Sequence, residues 1–208
     1  MNNLLIIGAG GHGKVVADIA KTTNMFHEIA FLDDNKNIKE LNGLKVIDQL
    51  SNLGHYKKRY KYAFIAIGNN YKRLELLNKL LIEGFEIPTL IHPFTYVAKD
   101  TIIGLGSVIM PGAIINTSSV IGMGCIVNTN ASIDHDCKIG IGVHLSPGVK
   151  LGGAVEVGER TWICLNSAVS NNIKIGANVI VAAGSVVLKD VDSNVLVAGI
   201  PAKQKKIL

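Results

Sequence analysis

Aromatic side chains are scarce, at 5% of the 208 residues, and charged ones make up only 18%. Basic residues exceed acidic ones by five, but the lysines are scattered along the chain. A nucleic-acid reader, which combines a basic stripe with stacking aromatics, is therefore disfavoured. Mean hydropathy is positive, yet no apolar run approaches the roughly 18 residues of a membrane span. The richest stretch, 178–188, is interrupted by Gly184 and Ser185. Met1-Asn2-Asn3 leads straight into apolar residues, with no basic region and no small-residue cleavage site. The expectation is a cytoplasmic chain with no membrane insertion. Cysteine is sparse too: Cys125, Cys137 and Cys164 form an odd set without a CxxC pair. A disulfide framework or zinc site is not expected, nor any other metal. Two local cation clusters remain, Lys57, Lys58, Arg59 and Lys61, and Lys203, Lys205 and Lys206. Their modest positive field suits small, highly anionic ligands.

What the second half does have is a repeat. Ile-Gly or Val-Gly recurs at Ile103, Ile121, Ile139, Val157 and Ile175, eighteen residues apart each time. Dividing by three exposes an aliphatic residue at every sixth position from Val97 to Val187, with no insertion or skip. Four residues after each stands something small or β-branched, from Thr101 through Cys125 and Cys137 to Val191. A helix would need a period near 3.6 and a lone strand a period of 2. A period of six fits a triangular coil of three short strands. The aliphatic residue points into the prism, and the small one fits beside it near a corner. Each coil buries its apolar row only against its neighbours, so an array is required. The cysteines fall in or beside the inward register and are expected to be buried and structural.

The first ninety residues differ. Asn3–Ile7 reads as an apolar strand, Lys14–Lys21 as a helix with Val15, Val16, Ile19 and Ala20 inward, and Glu28–Leu32 as a second strand. A third strand over 62–67 is followed by a helix over 71–83, with Leu74, Leu77 and Leu81 on its apolar side. The stretch 36–61 shows no clear period. Strands alternating with helices imply a parallel sheet. Gly8, Gly10 and Gly13 form G-x-G-x-x-G between strand and helix, and Asp33 and Asp34 follow about twenty residues on. Glycines let backbone approach a phosphate, and free N–H groups at a helix start face it. Ninety residues hold one mononucleotide-binding half rather than the usual double unit. The expected ligand is thus a single nucleotide diphosphate, not NAD, with Asp33 and Asp34 accepting hydrogen bonds from base or ribose.

Within a repeat, the residues that the repeat does not require are the informative ones. His135 and Asp136 follow Ile133 at an outward corner and contribute nothing to coil folding. An imidazole suits a general base near neutral pH, and a carboxylate beside it would fix its tautomer. Gly153 lies eighteen residues after His135 and so stacks on it one coil away. A backbone N–H there could donate to an oxyanion. His144 is half a coil from His135, on the far side of the prism, so the two could meet only across an interface between protomers.

The period-six pattern resembles the hexapeptide-repeat acyltransferases, whose fold is the left-handed parallel β-helix. Gly8–Gly13, Leu32-Asp33-Asp34, Ala66-Ile67-Gly68-Asn69, Ile91-His92-Pro93, Asn128-Thr129, His135-Asp136, His144 and Gly199–Lys203 occur in that order. Together they resemble the sugar O/N-acetyltransferases of the sialic-acid O-acetyltransferase type, and most of all the PglD-like N-acetyltransferases of nucleotide-linked 4-amino-sugars. The resemblance implies a Rossmann-like half domain over 1–90 that binds a nucleotide sugar, and a left-handed β-helix acetyltransferase domain over 91–208. It implies acetyl-CoA as co-substrate and a homotrimer with active sites between protomers. His135 would take a proton from the sugar amine, with Asp136 supporting it where close relatives have Glu. His144 and Gly153 would meet the acetyl end of the coenzyme, and Leu165 and Ala183 would line its groove. Gly10, Gly11, His12, Asp33, Asp34, Gly68 and Asn69 would hold the nucleotide sugar, UDP-linked by preference. Lys203, Lys205 and Lys206 either meet coenzyme phosphates or form a solvated tail. Two other readings stay open: acetyl transfer to a hydroxyl of sialic acid or another sugar, and a non-catalytic scaffold.

Overall fold

The structure, a computed structural model, describes residues 2–208. It divides into two compact units, the first running to His92 and the second starting at Pro93.

The first unit carries strands β1 (Asn3–Ile7), β2 (Glu28–Leu32), β3 (Glu40–Leu41), β4 (Leu44–Asp48) and β5 (Tyr62–Ile65) in the order β3-β4-β2-β1-β5. β4, β2, β1 and β5 run parallel, and β3 turns back antiparallel on β4. All five residues of β1 are buried, as a strand central to a parallel sheet should be. Helix α1 (Gly11–Thr22) follows β1, and α2 (Asn70–Ile82) follows β5. Residues 36–61 hold the β3–β4 hairpin and a 3-10 helix, Leu50–Tyr56. Both helices sit slightly rotated from their expected faces. Val15 is exposed, and Val16, Ala17, Ile19 and Ala20 are the buried face of α1. In α2 the buried stripe is Arg73, Leu76, Leu77 and Leu80, whereas Leu81 faces out. Its first member is an arginine, which a search for apolar residues passes over. Arg73 can sit there because its guanidinium donates to the carbonyls of Ile67 and Gly68 and to Asn70 Oδ1.

The second unit is a left-handed parallel β-helix. Two-residue strands alternate with turns, and each strand pairs in parallel with the one eighteen residues on, as in Val97–Ile115–Ile133–Leu151. Three sheets result, forming the faces of a prism. The second residue of each strand points inward, and from Ile109 to Val187 these side chains are buried in one continuous core. The small residues are buried as well, and the polar ones are satisfied between coils. Ser107 Oγ donates to the Gly122 carbonyl at 2.9 Å and accepts from Cys125 N at 2.9 Å, and Ser119 and Thr161 repeat the scheme. Cys125 and Cys137 occupy the same position, fully buried, with Sγ facing a carbonyl of the next coil. Burial pushes the thiols of Cys137 and Cys164 up, away from reactivity.

Corners explain the rest of the hexad. Every sixth residue from Gly106 to Gly184 has positive φ, and all are Gly or a residue such as Asn130, Asp136, Asn166, Asn172 and Asn178, with Ser118, Ala154 and Arg160 as exceptions to that preference. The Ile-Gly repeat has a separate cause. A Cβ on Gly140 would come within 2.7 Å of Glu159 N in the coil above, so stacked corners there admit no side chain. A hairpin of Val195–Gly199 and Ala202–Ile207 ends the chain, exposing Lys203, Lys205 and Lys206.

Candidate active site

His135 stands at the corner after the strand Ser132–Ile133, with its side chain about half exposed. Its Nδ1 lies 2.7 Å from Asp136 Oδ2. Asp136 is one of the left-handed corners, with φ of 60°, and this turn brings the adjacent carboxylate onto the same side as the imidazole. Neighbours in sequence ordinarily diverge; here the corner makes them converge. The Asp136 carboxylate, followed by the charge of Asp134, raises the His135 pKa above its ordinary 6.5. Nδ1 faces a carboxylate and so carries the proton, which leaves Nε2 as the basic nitrogen. Nε2 lies over Gly153: a Cβ at that residue would sit 2.6 Å from both Cε1 and Nε2. Gly153 thus occupies the place where the imidazole needs room.

Two more residues belong to this corner. Asp134 Oδ1 accepts from the His135 backbone N–H at 2.9 Å and from Asn116 Nδ2 at 2.9 Å. These bonds, that of Asn116 foremost, hold the Asp134 carboxyl below its usual range. Asn116 is eighteen residues before Asp134, so the repeat itself carried the signal that sequence reasoning missed.

His144 begins the strand His144–Leu145 on another face of the prism. Its Nε2 lies 3.3 Å from Asn128 Nδ2, and its ring stacks on Trp162, with centroids 5.9 Å apart and planes 13° from parallel. Leu165 and Ala183 occupy the corner that follows this face, one coil apart and both exposed, with Gly184 N donating to Leu165 O. The coil unit therefore gathers His135, Asp136 and Gly153 at one corner and His144, Leu165 and Ala183 on another side.

In the first unit, the loops after β1, β2 and β5 all lie at the carboxyl edge of the parallel sheet, where β1 is flanked by β2 and β5. This brings Gly10, Gly11, His12, Asp33, Asp34, Gly68 and Asn69 to one edge. Gly8 has φ of 106°, a conformation few other residues take, and a Cβ on Gly13 would collide with the Gly8 carbonyl, so α1 seats tightly against β1. Gly10 and Gly11 open to empty space. No side chain caps α1 and its first turn has no acid, which leaves the helix start electropositive. Asp33 does more for the fold than expected. Its two oxygens accept from Ala9 N at 2.6 Å and Asn35 N at 2.8 Å, tying the glycine loop to the end of β2. Asp34 accepts from Leu50 N, and Asn69 caps α2 by accepting from Lys72 N. His12 Nε2 is shielded and has no hydrogen-bond partner among the described residues. Burial, and then the charge of Arg73, push the His12 pKa down to about 4, so this ring is neutral at physiological pH.

Comparison with known proteins matches residues 3–80 to the PglD N-terminal domain. The chain is 32% identical to the GDP-perosamine N-acetyltransferase of Escherichia coli O157:H7, across 99% of this chain and 97% of that one. It is 38% identical over 118 residues to the UDP-N-acetylbacillosamine N-acetyltransferase of Bacillus subtilis, a match that spans only 53% of this chain and 52% of the relative. Two solved structures superpose along its length. PerB from Caulobacter crescentus, in complex with CoA and GDP-perosamine, gives a TM-score of 0.95 at 36% identity, covering 99% and 98% of the two chains. The acetyltransferase domain of PglB from Neisseria gonorrhoeae, in complex with acetyl coenzyme A, gives 0.95 at 39% identity, covering 99% and 100%. Hexad coil, front domain and full-length likeness agree: the chain belongs to the hexapeptide-repeat sugar N-acetyltransferases, a family of acetyl-CoA-dependent acyltransferases.

Proposed function

We propose that this enzyme transfers the acetyl group of acetyl-CoA to the 4-amino group of a nucleotide-linked amino-sugar, UDP-linked by preference. The observation that carries this reading is the His135 corner: Nδ1 held at 2.7 Å by Asp136, and Nε2 lying over Gly153. The sugar amine attacks the thioester carbonyl while His135 Nε2 accepts its proton, and Asp136 stabilises the imidazolium that forms. The Gly153 N–H donates to the carbonyl oxygen as it gains negative charge. Collapse breaks the C–S bond, and the thiolate leaves and takes the proton from His135. The products are the N-acetyl sugar and free coenzyme A. The front unit holds the nucleotide through the glycine loop and the start of α1, with Asp33, Asp34, Gly68 and Asn69 around it. The opened surface at Gly10 and Gly11 supports this assignment.

We infer further that three chains associate. His135 and His144 occupy different sides of one prism, so both reach one acetyl group only if neighbouring chains each supply one of them. Exposed Tyr96, Ile102, Ile114 and Val120 on the outer faces of the early coils offer apolar surface for such contact. No helix among the described residues is long and apolar enough to cross a membrane, and dependence on acetyl-CoA favours work in the cytoplasm.

A thiol-release assay with acetyl-CoA tests the reaction, using UDP- and GDP-linked 4-amino-sugars beside free sialic acid. Release only with an amino-sugar nucleotide is expected. Release only with sialic acid would overturn the reading in favour of O-acetylation.

A further inference from the structure

Trp162 is the one tryptophan of the chain, and nothing in the chemistry above uses it. It stands on the same face as His144, in register within the ladder Ile126, His144, Trp162 and Ile180. A large aromatic ring 41% exposed on an outer face adds little to coil folding. Its geometry is nonetheless constrained on two sides. The indole stacks on the His144 ring within 13° of parallel, and Nε1 donates to Ser146 Oγ at 2.9 Å, a hydroxyl that is itself buried. The polar end is thus pinned to the next corner, which fixes the plane that the imidazole meets.

The other freedom of His144, rotation within its plane, is set by Asn128. Thr129 N donates to Asn128 Oδ1 at 2.9 Å, which settles the amide orientation and turns Nδ2 toward His144 Nε2 at 3.3 Å. An amide Nδ2 can only donate, so Nε2 is the accepting atom of this contact. His144 is accordingly held from two sides, by the indole across its face and by the Asn128 amide at Nε2.

We propose that Trp162 is a positioning residue for acetyl-CoA: it fixes the plane of His144 and forms a wall along which the thioester arm of the coenzyme lies. Exposed Leu165 and Ala183 continue that wall at the adjoining corner. The inference rests on the reading above that His144 meets the acetyl end of the coenzyme.

All indole emission comes from this one residue, so coenzyme binding can be read directly. Titration of the intact protein with coenzyme A is expected to give a saturable change in tryptophan emission, with the midpoint found by calorimetry. Calorimetric binding with unaltered emission would overturn the role of Trp162 while leaving the acetyltransferase reading intact. No calorimetric binding at all would overturn both. In kinetics, Trp162→Leu is expected to raise the KM for acetyl-CoA roughly five- to tenfold, the factor that loss of an aromatic pair implies, with the KM for the sugar nucleotide unchanged. Trp162→Phe keeps a ring against His144 but loses the Nε1 bond to Ser146, so its KM for acetyl-CoA is expected to rise about two- to threefold, less than for Trp162→Leu, which separates positioning from a folding defect. Equal rises in both KM values, or no rise in either, would sink the proposal.

Discussion

At the scale of single residues, the His135 corner depends on one conformational choice. Asp136 sits at φ of 60°, and without that turn its carboxylate would point away from the imidazole. If His135 is the base proposed above, its working form is the neutral ring, and the raised pKa moves the acid limb of kcat/KM to higher pH than an ordinary imidazole would give. Asp136→Asn removes the largest cause of the rise, so the limb is expected to shift to lower pH, with a lower plateau as the imidazolium loses its partner. An unmoved limb would show that Asp136 does not set the basicity. Gly153→Ala tests the space beside the ring. No positive φ strains alanine there, but its Cβ would lie 2.6 Å from Nε2, so the imidazole must swing away. The expected outcome is a fall in kcat of about a hundredfold with an unchanged melting temperature. His135 as an outward residue was legible from the hexad register. Its support from Asp134 and Asn116 was only half legible: their separation of eighteen residues says that they stack, but not where their side chains turn.

Among the elements, the coil is the more legible because each turn contacts only the turns above and below it. Translation by eighteen residues in sequence equals translation by one coil in space. Inward Ile and Val, corner Gly and Asn, and satisfied Ser and Cys each recur at a fixed offset for that reason. The corners make a direct test. Asn172 is exposed with φ of 61°. Asn172→Val should lower stability by about 1–2 kcal/mol, since a β-branched residue resists the left-handed region, whereas Asn172→Gly should stay within about 0.5 kcal/mol. Thermal unfolding at matched protein concentration distinguishes them, and equal effects of the two substitutions would contradict the corner assignment. Helices α1 and α2 were found in about the right places but with their faces turned. In α2 the reason is Arg73, a charged residue made tolerable inside by three hydrogen-bond acceptors that only the folded turn supplies.

For the whole molecule, the proposed sharing of one acetyl group by His135 and His144, which stand on different sides of one prism, would make assembly part of the chemistry. Chains carrying His135→Ala and chains carrying His144→Ala should each be nearly inactive. Dissociated, mixed in equal amounts and reassembled, they should recover about a quarter of parental activity, because one interface in four then pairs an intact His135 with an intact His144. No recovery would mean that both histidines serve one chain or that one of them is idle. The amino-acid sequence by itself determined the prism, its register, the outward histidine and the glycine loop of the front unit, because strands that touch only their nearest coils write their contacts into a period. Tertiary structure alone decided that the left-handed corner at Asp136 turns its carboxylate onto His135, that Asp33 ties the glycine loop to β2, and that His12 is kept neutral beside Arg73. Those contacts join residues at irregular separations, and a side chain's direction is fixed only when the backbone around it has closed.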